Sequence, residues 1–227
     1  MKLNITNVAT LLCAMQNKKV LVLGDLMLDR FINGAVTRIS PEAPVPILSQ
    51  SQVRQMAGGA ANVACNLAQL GLNVHLIGVC GTDANATELE TEISAYPAIQ
   101  FDPVRIKNRL TSLKTRYQAG GQQILRVDDE INSDIDDRNA RNVLKRTTAA
   151  LEDSDLIVIS DYGKGALPLP LLSQIIAAGK AKGTRIIADP KRVDVSAYEN
   201  VDLLTPNLTE LRAITARQLS GIEEIGN

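Results

Sequence analysis

The sequence predicts an α/β fold, a mostly parallel sheet flanked by helices and carrying a smaller β insertion. Three observations lead to it. Short β-branched runs alternate with stretches of helical periodicity, the mark of repeated βα units. Two segments break that rhythm with extended rather than helical character. Polar residues recur at the carboxyl ends of successive strands, where open parallel sheets bind ligands. With 227 residues, 45% hydrophobic and 22% charged, the chain is long enough to bury a sizeable core as a globular protein.

Taken in order, MKLNITNVATLLCAMQNKK predicts a short amphipathic helix, and Val20–Leu23 the first strand, ending at Gly24-Asp25. Val63, Leu67 and Leu70 share one face of a helix over Ala60–Leu70, which Gly71 stops. Val74–Val79 is the next strand, and a helix follows Gly81-Thr82-Asp83 to about Ala95. Leu156–Ile159, Arg185–Ala188 and Val201–Leu204 read as further strands, separated by helices over Arg138–Leu151 and Leu169–Ala181. Thr205–Thr215 reads as the start of another strand-loop-helix unit.

The two segments that break the rhythm are Phe31–Met56, with Pro41, Pro44 and Pro46, and Ile99–Val127. Proline disfavours helix in the first. The second contains three expected strands, Phe101–Ile106, Ser112–Tyr117 and Gln122–Val127, with Gly120-Gly121 as the last turn. Their pairing as a small separate sheet would make either a lid over a site or a dimerisation flap. The domain organisation expected is therefore one domain over 1–227 with lid segments near 31–56 and 99–127.

Composition narrows the function classes. Lys+Arg 24 against Asp+Glu 25 gives a net charge of −1, which argues against a dedicated nucleic-acid binder or a polybasic membrane surface. Trp is absent and aromatics are 3%, so base-stacking platforms are poorly supplied. Cys13, Cys65 and Cys80 are far apart and His75 is the single histidine. A Cys/His zinc site is not expected, and three buried, reduced thiols in a cytoplasmic protein are. The N-terminus lacks the apolar core of a signal peptide, and no run has the length to cross a bilayer.

Asp25 and Asp29 follow the first strand, and Thr82 and Asp83 the second. Asp161, then Asp189 with Lys191, then Asn207 with Glu210 follow the later ones. Gly58-Gly59 precede a helix that opens Ala60-Ala61-Asn62. Small residues there let a ligand approach the backbone, and helix amides favour anions or hydroxyl oxygens; a plain tight turn is the equal alternative. The glycines match neither GxGxxG nor GxxxxGK[ST]. Asn207-Leu208-Thr209-Glu210 has the spacing of a capping box, and Asp161-Tyr162-Gly163-Lys164-Gly165 that of a βα turn.

In order, the segments GDLMLDRFINGAVTRISPEAPVPIL, GGAANVACNLAQLG, SDYGKGAL, IIADPK and LLTPNLTEL resemble the ribokinase-like (PfkB) carbohydrate kinases, and within them the branch acting on heptose 7-phosphate. The likeness runs from about Lys19 to about Ile214. It implies a ribokinase-like α/β fold with a β lid that covers the sugar and often dimerises. The activity implied is ATP-dependent phosphorylation of the anomeric hydroxyl of D-glycero-β-D-manno-heptose 7-phosphate, with Mg²⁺ as cofactor, in lipopolysaccharide-core biosynthesis. By the same resemblance Asp29, Gly58, Gly59 and Asn62 hold the sugar, and Asp161 lies near the acceptor. Lys191 and Asn207 lie near the nucleotide phosphates, and Glu210 helps to organise Mg²⁺. Lys114, Arg116 and Arg126 are candidates for the sugar's distal phosphate, which a guanidinium fork suits.

One departure accompanies the likeness. The family's GAGD motif supplies an anion hole and the Asp that takes the acceptor proton, and no GAGD stands in this sequence. The expectation is of the N-terminal majority of a kinase domain, with no catalytic base among its own residues. A chain that only binds sugar phosphate, or dimerises through its lid, is the alternative, and a kinase for another sugar is a further one.

Overall fold

The computed structural model describes residues 5–217. After helix α1 (Ile5–Met15) the elements are β1 (Lys19–Ile39), β2 (Pro46–Gly59), α2 (Ala60–Gln69), β3 (Asn73–Cys80), α3 (Ala84–Ser94), β4 (Ile99–Phe101) and β5 (Val104–Arg105). Then come β6 (Ser112–Ala119), β7 (Gln122–Asp129), α4 (Asp137–Leu151), β8 (Leu156–Asp161), α5 (Leu169–Lys182), β9 (Arg185–Pro190), β10 (Leu203–Leu204) and α6 (Leu208–Thr215).

The main sheet runs β10-β9-β8-β1-β3-β4, and every neighbouring pair in it is parallel. Its central strands are apolar on both faces, as parallel strands between two helical layers must be. Leu21, Leu23, Ile77, Ile157 and Ile159 pack with Val143 and Leu151 of α4 and with Leu172 and Ile175 of α5. Their alternates Val20, Val22, Val74 and Leu76 pack with Ala61 and Ala64 of α2 and with Leu89 and Ile93 of α3. The period-two alternation of β1 thus feeds two cores at once.

β1 does not end at Gly24-Asp25, as its sequence predicts, but runs on for 21 residues in all. Its first part pairs with β3 and β8 as far as Asp25↔Val79 and Gly24↔Ser160. From Leu26 and Met27 onward it pairs with β2, antiparallel, and with β6, parallel. A hairpin through Gly120-Gly121, both at positive φ, adds β7. A second sheet of order β2-β1-β6-β7 therefore stands on the carboxyl edge of the main one. Gly24 is the changeover. A Cβ there would lie 2.0 Å from the Ser160 carbonyl oxygen, so only glycine lets β1 cross so close to β8.

Three further expectations are corrected. Phe101–Ile106 is not a strand of the second sheet: Asp102-Pro103 splits it into β4 and β5, both paired with β3 in the main sheet. Proline has no N–H for a ladder, and Val104 is only 1% exposed in the main core. Strand β10 is confined to Leu203–Leu204. Cys13 is exposed on α1, whereas Cys65 and Cys80 are buried, and burial pushes both buried thiols up to about 11. No helix among the described residues is long and apolar enough to cross a membrane.

Candidate functional site

At the changeover point the chain fixes its loops through carboxylates. Asp25 is 2% exposed, and its carboxylate accepts backbone N–H groups of Tyr162 (2.7 Å), Lys164 (3.2 Å) and Ala166 (3.2 Å). It ties the turn after β8 to the bend of β1. Burial raises its pKa against the opposing pull of those three N–H donors. Asp25 was one polar residue among many in the sequence, because its partners lie about 140 positions away.

Four residues further along β1, Asp29 sits where the second sheet begins. One carboxylate oxygen pairs with the Arg116 guanidinium of β6, which also lies 5.2 Å from the centre of the Phe31 ring. The other oxygen rests on Gly58: a Cβ built there would stand 2.4 Å from it. Gly59 follows at φ 56° and caps α2 with no side-chain hydrogen bond, which leaves the first amides of α2 without a side-chain cap. Asn62 is exposed on the first turn of α2, its Oδ1 accepting weakly from Asn66 at 3.4 Å. The structure thus brings Asp29 and Gly58 into contact, sets Gly59 against the Asp25 carbonyl and Met27, and puts Asn62 one turn further along α2.

Asp161 is placed differently. It is 1% exposed. Its carboxylate accepts from the Gly163 N–H (2.9 Å), the Arg192 Nε (2.9 Å) and the Tyr198 hydroxyl (2.6 Å). Burial first, and then that hydrogen bond to a carboxylate, push the Tyr198 phenol far up. With both oxygens engaged, Asp161 holds the turn and the segment after β9 rather than presenting a free acceptor.

A second group forms beyond β9 and β10. The Lys191 ammonium lies 3.0 Å from both Asp189 and Glu210 and 5.3 Å from the Tyr162 ring centre. Asn207 and Glu210 make the full capping box of α6: each side chain accepts the other's backbone N–H, at 2.8 and 2.9 Å. Partial burial opposes ionisation of Glu210, but the Asn207 N–H and Lys191 outweigh it and hold its pKa low. Partial burial likewise opposes the charge of Lys191, and its two carboxylates overcome that and raise it.

Tyr162 links the two stretches of chain: Asp25 accepts its backbone N–H and Lys191 lies beside its ring. Its phenol is pushed up first by burial; the charges of Lys191, Asp189, Asp29 and Glu210 all act on it. The turn after β8 is thereby held to β1 through Asp25 and touched by Lys191. Sequence reasoning missed Tyr162 as a site residue, and nothing but its place one residue after β8 marked it.

The second sheet carries its own charge network. Lys114 reaches Asp128 (2.9 Å) and Glu130 (3.0 Å), Lys164 reaches Glu130 (2.6 Å), and Arg126 pairs with Asp128 (2.9 Å). Glu130 braces the end of β7 to the turn after β8; partial burial opposes its charge, but the two lysines prevail and lower its pKa. Away from all this, at the amino ends of the strands, a cleft of about 800 Å³ is lined by Lys19, His75, Asp102 and Arg146 among others. Its carboxylate Asp102 pairs with Arg146, and none of the expected site residues lines it.

Comparison with known proteins follows the same lines. The family model described as pfkB family carbohydrate kinase matches residues 17–227. A protein of Gluconobacter oxydans (strain 621H) named Bifunctional protein HldE is 42% identical over 205 residues, covering 90% of this chain and 42% of that protein. One of the same name from Hyphomonas neptunium is 44% identical over 207 residues, covering 91% and 43%. The chain thus spans less than half the length of these curated relatives. Among solved structures, the tetrameric inhibited form of phosphofructokinase-2 from Escherichia coli matches with a TM-score of 0.71 at 25% identity. That match covers 93% of this chain and 68% of that one.

Proposed function

Because the chain belongs to the pfkB family of carbohydrate kinases and has their ribokinase-like fold, we propose that it binds a sugar phosphate at Asp29 and acts as an ATP-dependent sugar kinase. The proposed acceptor is D-glycero-β-D-manno-heptose 7-phosphate, phosphorylated at its anomeric hydroxyl. The observation that carries this reading is that the turn after β8 meets both groups: Asp25, four residues before Asp29 on β1, accepts the Tyr162 backbone N–H, and Lys191, paired with Glu210, lies 5.3 Å from the Tyr162 ring centre. Phosphoryl transfer needs acceptor and donor brought together and the moving charge stabilised. The likeness of the sequence to the heptose 7-phosphate branch, and relatives named Bifunctional protein HldE, favour the heptose.

On this reading Asp29 accepts two sugar hydroxyls, as a carboxylate can. Gly58 and Gly59 let the ring approach the backbone, and Asn62 adds polar contact from α2. Asp161 fixes the turn that carries Tyr162 and touches no substrate. Lys191 offers its positive charge to the nucleotide phosphates beside Asn207. Among the described residues no three His, Cys, Asp or Glu side chains gather as a metal cage, and the Lys191 ammonium already neutralises Asp189 and Glu210. That donor set fits a Mg²⁺ held chiefly by ATP phosphates and water, with Glu210 the single carboxylate it meets. Such an ion supplies charge neutralisation on the transferred phosphoryl group.

We also propose that the second sheet is the lid and that its partner is a second copy of the chain. The row Ile32–Val53–Tyr117–Leu125 crosses all four strands, with Val53 46% and Leu125 53% exposed. Sedimentation as a dimer that Leu125→Glu dissociates is the expected result, and a monomer at tens of micromolar removes this part. The protein is proposed to act in the cytoplasm.

Gly58→Ala tests the sugar pocket locally. Its Cβ would meet only side-chain atoms, Asp29 Oδ2 and Met27 Cγ, and Gly58 is not at positive φ. The variant is expected to fold, at a cost of about 1–2 kcal/mol, with Asp29 displaced and sugar-phosphate affinity down about tenfold or more. Unchanged affinity by calorimetric titration removes Gly58 from the pocket.

The function itself is tested by ADP release from the 227-residue chain with Mg²⁺, ATP and D-glycero-β-D-manno-heptose 7-phosphate. Sugar-dependent turnover that Asp29→Ala abolishes supports the kinase. Saturable sugar-phosphate binding without turnover supports the second reading, a binding chain alone. Neither binding nor turnover contradicts both.

A further inference from the structure

Asp29, the carboxylate proposed to receive the sugar hydroxyls, is occupied in the free protein by Arg116. Both side chains are largely covered, at 23% exposure for Arg116 and 18% for Asp29. We propose that Arg116 is a substrate-discriminating latch: the sugar hydroxyls displace it from Asp29, and the substrate's own phosphate receives it. The site thereby selects phosphorylated over neutral sugars. This deepens the sugar-phosphate reading above and rests on it.

The register of the second sheet makes Arg116 the residue in that position. Arg54, Phe31, Arg116 and Arg126 are directly opposed across β2, β1, β6 and β7. Three guanidinium groups thus share one row, and residues opposed in a ladder share a face. Asp29 is two residues from Phe31, so it lies on that same face. The cations around it are not equivalent. Lys114 is held by Asp128 and Glu130, and Arg126 by Asp128, on their own sheet. These partners stay in place when a sugar arrives at Asp29. Arg116 alone among the three candidates is paired with the carboxylate that the sugar takes.

The consequence follows from the cost of an unpaired charge. A neutral sugar that claims Asp29 strands a three-quarters-covered guanidinium directly opposite Arg126. A sugar phosphate supplies an anion for the freed fork, which suits phosphate in bidentate geometry. Hydroxyl recognition and phosphate recognition are coupled through one side chain, and the Phe31 ring keeps the guanidinium at hand in either position.

Titrations of D-glycero-D-manno-heptose and of its 7-phosphate into the wild-type chain and into Arg116→Gln test the latch. The wild type is expected to bind the phosphate at least about 100-fold more tightly than the neutral sugar. In Arg116→Gln the phosphate is expected to bind about 30-fold more weakly, and the neutral sugar about fivefold more tightly, since Asp29 is then free. Opposite movement of the two affinities is the signature, and a residue that merely supports the fold does not produce it. Weakening of both sugars, or a change in neither, overturns the latch while leaving the site at Asp29 standing. If the wild type binds neither sugar, or Asp29→Ala binds the 7-phosphate as well as wild type does, the sugar-phosphate reading fails and the latch falls with it.

Discussion

Asp29→Ala is expected to weaken sugar-phosphate binding by about 100-fold or more while the chain still folds. A carboxylate accepting two hydroxyls makes charge-assisted bonds of about 1.5–3 kcal/mol each, and alanine makes neither. The fold depends little on the residue. Asp29 lies at the start of the second sheet, outside the two apolar cores, with its side chain 18% exposed, and its loss leaves the largely covered Arg116 guanidinium without that partner. Stability is expected to fall by about 1–3 kcal/mol, the cost of leaving Arg116 unpaired. Asp29→Asn retains the shape and one acceptor oxygen, so it is expected to fall between alanine and wild type. Calorimetric titration, with thermal unfolding as the control, reads both. Wild-type affinity in the folded alanine variant takes Asp29 out of the site.

The largest effect on stability is expected at Gly24. Its added Cβ would stand 2.0 Å from the Ser160 carbonyl oxygen, which is backbone of the central strand β8 and has no room to retreat. Its φ of 154° also lies outside what side-chain-bearing residues adopt with ease. Either β1 leaves β8 or the changeover to the second sheet is lost. Gly24→Ala is expected to cost more than about 3 kcal/mol, read as a lower urea midpoint or as failure to fold. Gly183→Ala is the control: it too has positive φ, 76°, but nothing lies within 4 Å of its Cβ. There the cost is conformational only, about 1 kcal/mol. Equal losses at the two glycines contradict the role given to the close crossing of β1 and β8.

Much of the α/β core was legible because its signals are local. The β-branched runs at Leu156–Ile159 and Arg185–Ala188 and the apolar stripe of α2 lie in one stretch of chain, and each became the element expected. What depended on partners far away was not legible. Gly24-Asp25 has the local chemistry of a strand end, yet β1 continues because β2 and β6 replace β3 and β8 as its partners. Phe101–Ile106 is a different case: Pro103 inside it is a local signal that breaks the ladder, and alternation alone overrides it in a reading by pattern.

The site divides in the same way. Asp29 and Gly58 stand in separate motifs of the sequence and meet in space. Asn207 and Glu210 were read as a cap from spacing and make that cap. Asp161 matched a motif but is spent on Tyr198 and Arg192, partners that no window around it contains. The Arg116–Asp29 pair spans 87 positions and is set by β-sheet register, which one sequence does not display.

The central claim is that sugar phosphate binds where β1 leaves the main sheet. Backbone amide chemical-shift mapping of the 24.4 kDa chain during titration with D-glycero-D-manno-heptose 7-phosphate tests it most directly. Shifts clustered at Asp29, Gly58 to Asn62, Arg116 and Tyr162 are the result this account expects. Shifts clustered instead around His75, Asp102 and Arg146, in the cleft at the other end of the strands, or no saturable shifts at all, contradict it.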